Sequence, residues 1–328
     1  MRLGIVGAGM IVEDLLSFIG DIPSIQLEGI SSKASHKEKM VLFKDRYGVK
    51  QTFFDYNQML LSSEVDTIYV GLPNHLHYSY AKKALLSGKH VICEKPFTSN
   101  LSEFLEIKKI ALDKKLILVE AISNQYLNNF LSLKRILPRL GEIKIVECNF
   151  SQYSSRYSAF KRGETPPVFN PEMSGGALMD INLYNIHLVV GLFGPPKHVI
   201  YLANIERNID TSGILLLDYV DFKCVCIGSK DSTGPSLINI QGNDGYIRAS
   251  SSSNVIDSFD FVANKQESIR IDQKRHSHRM FDEFVEFNRM IEENDLGEAA
   301  RMLEHSENVM KVIEQAKKSA NLVFGSDQ

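Results

Sequence analysis

Two short stretches of the chain hold residue types that do chemistry. KHVICEKPF (89–97) leaves a strand-like apolar run, His90–Cys93, and turns at once into a carboxylate, an ammonium and a proline at Glu94, Lys95 and Pro96. Proline restricts the residue before it to extended backbone, so the Lys95 ammonium is given a fixed direction. In SGGALMDINLYNIH (174–187), Asp180, Tyr184 and His187 are four and three residues apart. That spacing places them on one face of a helix, while Leu178, Met179, Ile181, Leu183 and Ile186 make the remainder apolar. A polar stripe on a buried helix is costly unless its groups are paired or used. A free phenol titrates near ~10 and is a poor base at neutral pH, but an ammonium beside it favours phenolate. An ammonium such as that of Lys95, placed beside Tyr184, would let the phenol serve as general acid/base. Asp180 would hold a second hydroxyl or the lysine, and His187 would relay the proton or replace Tyr184 in that role.

The N-terminus offers a cradle for a dinucleotide. Gly7-Ala8-Gly9 follows the strand Leu3–Val6 and opens a helix with Met10 and Ile11. Gly7 permits the tight turn, and Gly9 lets a pyrophosphate approach the N–H groups of the helix end. Val12 stands at the third glycine position, and Glu13 and Asp14 in the first turn oppose a phosphate. The second strand, Leu27–Ile30, runs into Ser31-Ser32-Lys33 rather than into the carboxylate that grips a ribose diol. Two hydroxyls and an ammonium suit a 2′-phosphate. NADP(H) is favoured, and NAD(H) remains open if Lys33 is only a solvated loop lysine.

These parts need a scaffold. Strand-like and helix-like segments alternate up to Glu120, from Arg2–Val6 to Leu116–Val119, which predicts a doubly wound parallel sheet. Beyond it, a helix (Asn124–Leu137), a strand (Ile143–Gln152), a polar loop (Tyr153–Pro171) and a helix (Ala177–Leu192) lead to strands and turns over Lys197–Ile271. Two amphipathic helices, 278–293 and 298–320, end the chain. The expected class is α/β: an N-terminal Rossmann domain (1–122) and a C-terminal α+β domain (123–328) with a large, mostly antiparallel, open-faced sheet.

Composition narrows the function. The net charge is −3, with 44% hydrophobic and 23% charged residues, and no aromatic-basic module supports nucleic-acid binding. No run of the roughly 18–20 apolar residues of a membrane helix is visible, nor is a signal peptide. The four cysteines lie in apolar runs and read as reduced, buried residues of a cytoplasmic protein. No metal site is expected; His276 and His278 lack a carboxylate or thiol cluster.

The segments GIVGAGMI, VGLPNHLH, SGKHVICEKPF and SGGALMDINLYNIH occur in the order and at the spacing of the Gfo/Idh/MocA oxidoreductases, which the chain resembles over nearly its whole length. The resemblance implies that Lys95 reaches the substrate hydroxyl beside the nicotinamide. It also implies that Leu72, Pro73, Asn74 and His77 touch the cofactor, that Glu94 shapes the same wall, and that Asn124 lies near the ring. It places Asp180 on the family's first motif aspartate, Tyr184 on its histidine and His187 on its last aspartate. A tyrosine at that histidine position is also seen in the dihydrodiol dehydrogenase and glucose–fructose oxidoreductase type. Arg156 and Tyr157 are expected to line the outer substrate pocket, Arg156 being otherwise a surface residue. The resemblance further implies a homodimer or homotetramer formed through the C-terminal sheet. The reading is an NAD(P)-dependent oxidoreductase acting on a sugar, cyclitol or vicinal diol. A non-catalytic nucleotide-binding sensor of the same fold is its rival, and an enzyme returning hydride internally a third possibility.

Overall fold

A computed structural model describes residues 1–327 and divides the chain into two compact units. The first comprises Met1–Ala121 with Glu283–Ser306, and the second Ile122–Asp282 with Glu307–Gln328.

In the first unit, six parallel strands form one sheet: β1 (Arg2–Val6), β2 (Gln26–Ser31), β3 (Gln51–Phe53), β4 (Thr67–Val70), β5 (His90–Glu94) and β6 (Leu118–Ala121). Their spatial order is β3-β2-β1-β4-β5-β6. The chain builds outward from β1 to β3, then returns to the other side of β1. The switch point, where α/β sheets bind ligands beyond the strand ends, therefore lies between β1 and β4. The crossovers carry helices α1 (Met10–Phe18), α2 (Lys37–Tyr47), α3 (Tyr56–Leu61), α4 (His77–Leu86) and α5 (Leu101–Lys114). The central strands are apolar on both faces because helices cover both; β4 and the middle of β5 are fully buried. The start of α5 is fixed by Asn100, whose side chain accepts from the Glu103 N–H at 2.9 Å, while Glu103 reaches back to the Ser99 N–H at 3.0 Å.

The second unit holds helices α6 (Asn128–Ile136), α7 (Tyr157–Lys161) and α8 (Leu183–Phe193). Its eight strands are β7 (Ile143–Ser151), β8 (His198–Glu206), β9 (Ile209–Asp218), β10 (Lys223–Ser229), β11 (Leu237–Gly242), β12 (Gly245–Ala249), β13 (Phe259–Ala263) and β14 (Ile269–Ile271). They are ordered β14-β13-β12-β11-β7-β10-β9-β8. Among the described residues of this sheet, only β7 and β10 pair in parallel. Alternation gives the sheet two faces: Leu215 and Leu217 are buried, while Ile214 and Leu216, which alternate with them, are exposed. Late in the chain come α9 (Phe281–Glu292) and α10 (Leu296–Ala320). Phe284 of α9 packs edge-on against Phe18 and Tyr69 in the first unit.

Three local expectations are corrected. The segment read as a polar loop over 153–171 contains α7. The helix expected from Ala177 begins as a π-turn, Leu178–Asn182, before continuing as α8. By length and composition Pro171–Phe193 would qualify as a membrane span, contrary to the sequence reading, but 78% of its apolar window is buried inside the protein.

Candidate active site

At the carboxyl edge of the first sheet, the ends of β1, β2 and β4 are tied backbone to backbone. Gly7 N–H donates to the Ser31 carbonyl and Gly71 N–H to the Val6 carbonyl, both at 2.9 Å. Gly7 has φ +124°, and a Cβ there would sit 2.2 Å from the Gly71 oxygen, so only glycine fits. A Cβ on Gly9 would meet nothing within 4 Å. The space before α1 is open, and no side chain caps that helix. Its first-turn N–H groups face that space, so the residues fit a dinucleotide pyrophosphate. Of the three residues set against a phosphate in the sequence, Val12 and Glu13 are offset. Val12 packs where its methyl would lie 2.8 Å from a Cβ on Gly71, so a bare Gly71 makes up for the missing third glycine. The Glu13 carboxylate is drawn to Lys39, at 3.2 Å. Met10 is 72% exposed at the mouth of this turn, with Ile11 half-buried beside it.

Beyond β2, Ser31 is buried, Ser32 half-buried and Lys33 exposed. The Ser32 hydroxyl is 2.9 Å from His36 Nδ1, a residue the sequence reading missed although it lies four positions on. The His75 imidazole is held below its ordinary value, first by burial and then by the Lys33 ammonium. Hydroxyls and cations crowd this strand end, and none of these residues is a carboxylate.

The loop after β4 and the EKP turn are joined by His77. Its Nδ1 lies 2.7 Å from the Pro96 carbonyl and its Nε2 2.8 Å from that of Leu72. The ring is fully buried, so both nitrogens face backbone rather than an open surface. Leu72 and Asn74 are half-buried and Pro73 exposed. Glu94, 6% exposed, accepts from the Tyr69 hydroxyl at 2.7 Å and from the Lys95 N–H at 3.3 Å. Below the turn, buried Glu120 takes the Phe97 N–H at 3.0 Å and the Ser306 hydroxyl at 2.7 Å. Lys95 itself is half-buried, follows the last residue of β5 and precedes a cis peptide bond to Pro96. Its side chain is thus borne on a backbone held from three directions.

The second unit carries the other group. Asp180 lies in the π-turn, a local widening that recurs at functional sites, and Tyr184 and His187 follow on α8. Exposure declines along the stripe, from 31% for the Asp180 side chain to 8% for Tyr184 and none for His187. The helix is pinned to β10: Asn182 donates to the Cys226 carbonyl at 3.2 Å and Asn185 to that of Ile227 at 3.0 Å. Gly228 makes this approach possible, since a Cβ there would be 2.5 Å from that of Asn182. Asn124 is buried and donates to the Tyr184 carbonyl at 2.8 Å, which places it on the helix backbone.

The segment's start is held by Asp210. One of its oxygens accepts from the Leu178 N–H at 2.6 Å and the Tyr201 hydroxyl at 2.8 Å. A bulge makes this contact: β8 and β9 pair Asn204 with Ser212 but Ile205 with Asp210, leaving Thr211 over. The extra residue inverts the alternation and aims Asp210 at the helix. Burial pushes the Asp210 carboxyl up to about 7. Gly176, at φ +103°, leaves just enough room, as a Cβ would come within 2.0 Å of the other Asp210 oxygen.

Asp180 is ion-paired to Lys230, which the sequence reading did not single out. The signal was available: Cys224, Cys226, Gly228 and Lys230 alternate, and the first three face the helix. The Lys230 ammonium also lies over the Phe169 ring, 5.7 Å from its centre. Tyr157 packs against Phe169 and donates its hydroxyl to Glu206 at 3.0 Å, while Arg156 beside it is exposed.

Known proteins share this fold. Residues 1–121 match the model of an oxidoreductase family with an NAD-binding Rossmann fold, and residues 131–248 match the GFO/IDH/MocA C-terminal domain. A scyllo-inositol 2-dehydrogenase (NADP(+)) of Bacillus subtilis is 34% identical over 100% of this chain and 99% of its own. The trans-1,2-dihydrobenzene-1,2-diol dehydrogenase of Xenopus tropicalis is 25% identical over 75% of this chain and 74% of its own. In fold, a 3-ketoreductase from Actinomadura kijaniata, crystallised with NADP and TDP-benzene, superposes with a TM-score of 0.84 at 18% identity, covering 98% of both chains. With both of its units matched, the chain belongs to the Gfo/Idh/MocA family of dinucleotide-binding oxidoreductases.

Proposed function

We propose that the protein is an NADP(H)-preferring dehydrogenase or reductase of a secondary alcohol on a sugar, cyclitol or vicinal diol. The observation that carries this reading is the end-to-end likeness to a relative whose name states both a cyclitol substrate and NADP(+). The lysine and tyrosine of the proposed chemistry are present in this chain at Lys95 and Tyr184.

The nicotinamide, when bound, supplies the hydride acceptor or donor. Gly7, Gly9, Met10 and Ile11 would hold the pyrophosphate, with Leu72, Pro73, Asn74, Glu94 and Asn124 contributing around the rest of the cofactor. Ser31, Ser32 and Lys33 would take the 2′-phosphate. Lys95 orients the reacting oxygen and offsets charge that develops on it. In the oxidative direction Tyr184, as phenolate, takes the hydroxyl proton, the pair of electrons left on the substrate oxygen becomes the carbonyl bond, and the hydride leaves the carbon. His187, fully buried three positions on, carries that proton onward or serves in its place. Asp180 accepts from a second hydroxyl, and Arg156 and Tyr157 act farther out.

Two further features complete the reading. Ile200 lies opposite Leu216 and Leu202 opposite Ile214, all at least 40% exposed on the open face of the second sheet. Such a cross-strand apolar patch suits a second copy of this chain, in a homodimer or homotetramer. The Cys224 and Cys226 sulfurs lie 3.8 Å apart, yet all four cysteines are free and buried, which supports a reducing, cytoplasmic setting.

The test is turnover of a panel of inositols, sugars and cyclic diols with NADP+ and with NAD+. Oxidation of at least one ring polyol, faster with NADP+, is expected. Tight NADPH binding with no turnover of any member would replace the reading with that of a non-catalytic sensor.

A further inference from the structure

Lys230 is the sealed partner in an unequal ion pair. Its side chain is 7% exposed, whereas that of Asp180 is 31% exposed. A pair that served packing alone would have no reason to present only its carboxylate. The lysine stands one residue beyond β10, on the helix-facing side that also holds Gly228. Its backbone is fixed at both ends: its N–H donates to the Thr211 carbonyl at 2.9 Å, and its carbonyl accepts from the Ser154 N–H at 2.8 Å.

The other nearby acids are engaged elsewhere. Asp231 accepts from the hydroxyls of Thr211, Ser229 and Ser212 at 2.7, 2.8 and 2.9 Å. Asp210 takes the Leu178 N–H and the Tyr201 hydroxyl. Phe169 closes the remaining side of the ammonium and is itself backed by Tyr157 and Phe160. Among the described residues the ion pair of Lys230 is with Asp180, while its charge is also felt by buried Asp210.

We propose that Lys230 is a positioning residue that sets substrate class: it fixes Asp180 as a charged acceptor for a hydroxyl adjacent to the reacting one. The site then selects polyols and vicinal diols over alcohols that lack the neighbouring hydroxyl, and repels substrates with a carboxylate at that place. A charged acceptor left without its donor is the stronger basis for discrimination, because an unmade hydrogen bond to it is expensive. The assignment rests on the oxidoreductase reading above for the identity of the reacting hydroxyl.

A double-mutant cycle on binding tests it. Native protein, Lys230→Met, Asp180→Asn and the double variant are saturated with NADPH, which cannot oxidise an alcohol. Dissociation constants are then measured by calorimetry for scyllo-inositol, trans-1,2-cyclohexanediol and cyclohexanol. Lys230→Met is expected to weaken the first two by about tenfold to a hundredfold. Cyclohexanol should be unchanged, and in the Asp180→Asn background the second substitution should add nothing further. Should Lys230→Met not fold, Lys230→Gln, which keeps a donor and drops the charge, is judged by the same pattern. Equal weakening across the three alcohols, losses that simply add, or a native protein that binds all three alike would overturn the assignment. Turnover with NADP+ reports separately on the function: a polyol bound through Lys230 and Asp180 but never oxidised refutes the oxidoreductase reading and sustains the assignment.

Discussion

His77 Nδ1 lies 2.7 Å from the Pro96 carbonyl oxygen, across 19 residues of chain, and the same ring touches the Leu72 carbonyl. One buried imidazole thus joins the loop after β4 to the turn that carries Lys95. A neutral ring donates one proton and the imidazolium two. Burial holds His77 below its ordinary value, against the pull of the two carbonyls. His77→Leu should remove the one donor that the neutral ring supplies to this carbonyl pair and lower stability by about 1–3 kcal/mol, seen as a fall in Tm. Turnover should fall with it, while the ratio of NADP+ to NAD+ use stays the same.

Cofactor choice is expected to depend on Lys33. It is exposed beside the Ser32–His36 pair, and its charge already registers on His75. Lys33→Ala should weaken NADPH about tenfold or more, the scale of a charge-assisted contact, and leave NADH nearly unchanged. Because the chain has no tryptophan, a titration following NADPH fluorescence reads this directly. Equal weakening of both cofactors would retract the 2′-phosphate assignment.

Tyr184 and His187 can be separated by rate and pH. Tyr184→Phe keeps the ring against Phe150, 6.3 Å away, and removes only the hydroxyl. A loss of about 10²–10⁴ in kcat is expected, with little change in polyol binding. If His187→Gln shows that loss and Tyr184→Phe does not, the proton-transfer role moves to His187.

Asp210 gives a signed pH dependence. Its folded pKa, about 7, lies above the ordinary 3.8 because burial disfavours the carboxylate. The folded state therefore binds this proton more readily than the unfolded state does. Its contribution to stability is complete below about pH 3.8 and is lost as pH rises through about 7. Asp210→Asn should keep an acceptor for Leu178 and Tyr201, and should flatten the dependence of Tm on pH between 4 and 7 relative to the native protein.

Oligomerisation is expected to depend on the open sheet face. Leu202→Glu places a charge at a 59%-exposed position on β8, opposite Ile214. Sedimentation should show the native protein as a dimer or larger and the variant shifted toward monomer, with its Tm nearly unchanged by comparison.

Much of this architecture is legible in the sequence, and the parts that are not share a cause. The first sheet follows from apolar runs punctuated by helical spacing, since each β–α unit is a local event. Gly7, Gly9 and the EKP turn announce themselves because glycine and proline carry backbone meaning by themselves. The π-turn at Leu178–Asn182 is not visible in the local pattern; it ends at Asn182, which packs closely on Gly228, 46 positions later. The Thr211 bulge is hidden for the same reason: it is a mismatch of register between two strands, and neither strand shows it alone. Lys230 was readable in principle from the alternation through Cys224, Cys226 and Gly228. A charged residue at the end of a strand reads first as a solvated turn, however, and its partner Asp180 is fifty residues away.

The most direct measurement is steady-state oxidation of scyllo-inositol with NADP+ by the native protein and by Lys95→Met, with NADPH affinity determined for both. The account predicts turnover by the native protein and a fall in kcat of about a hundredfold or more for Lys95→Met, at nearly unchanged NADPH affinity. A Lys95→Met variant as active as the native protein would contradict it.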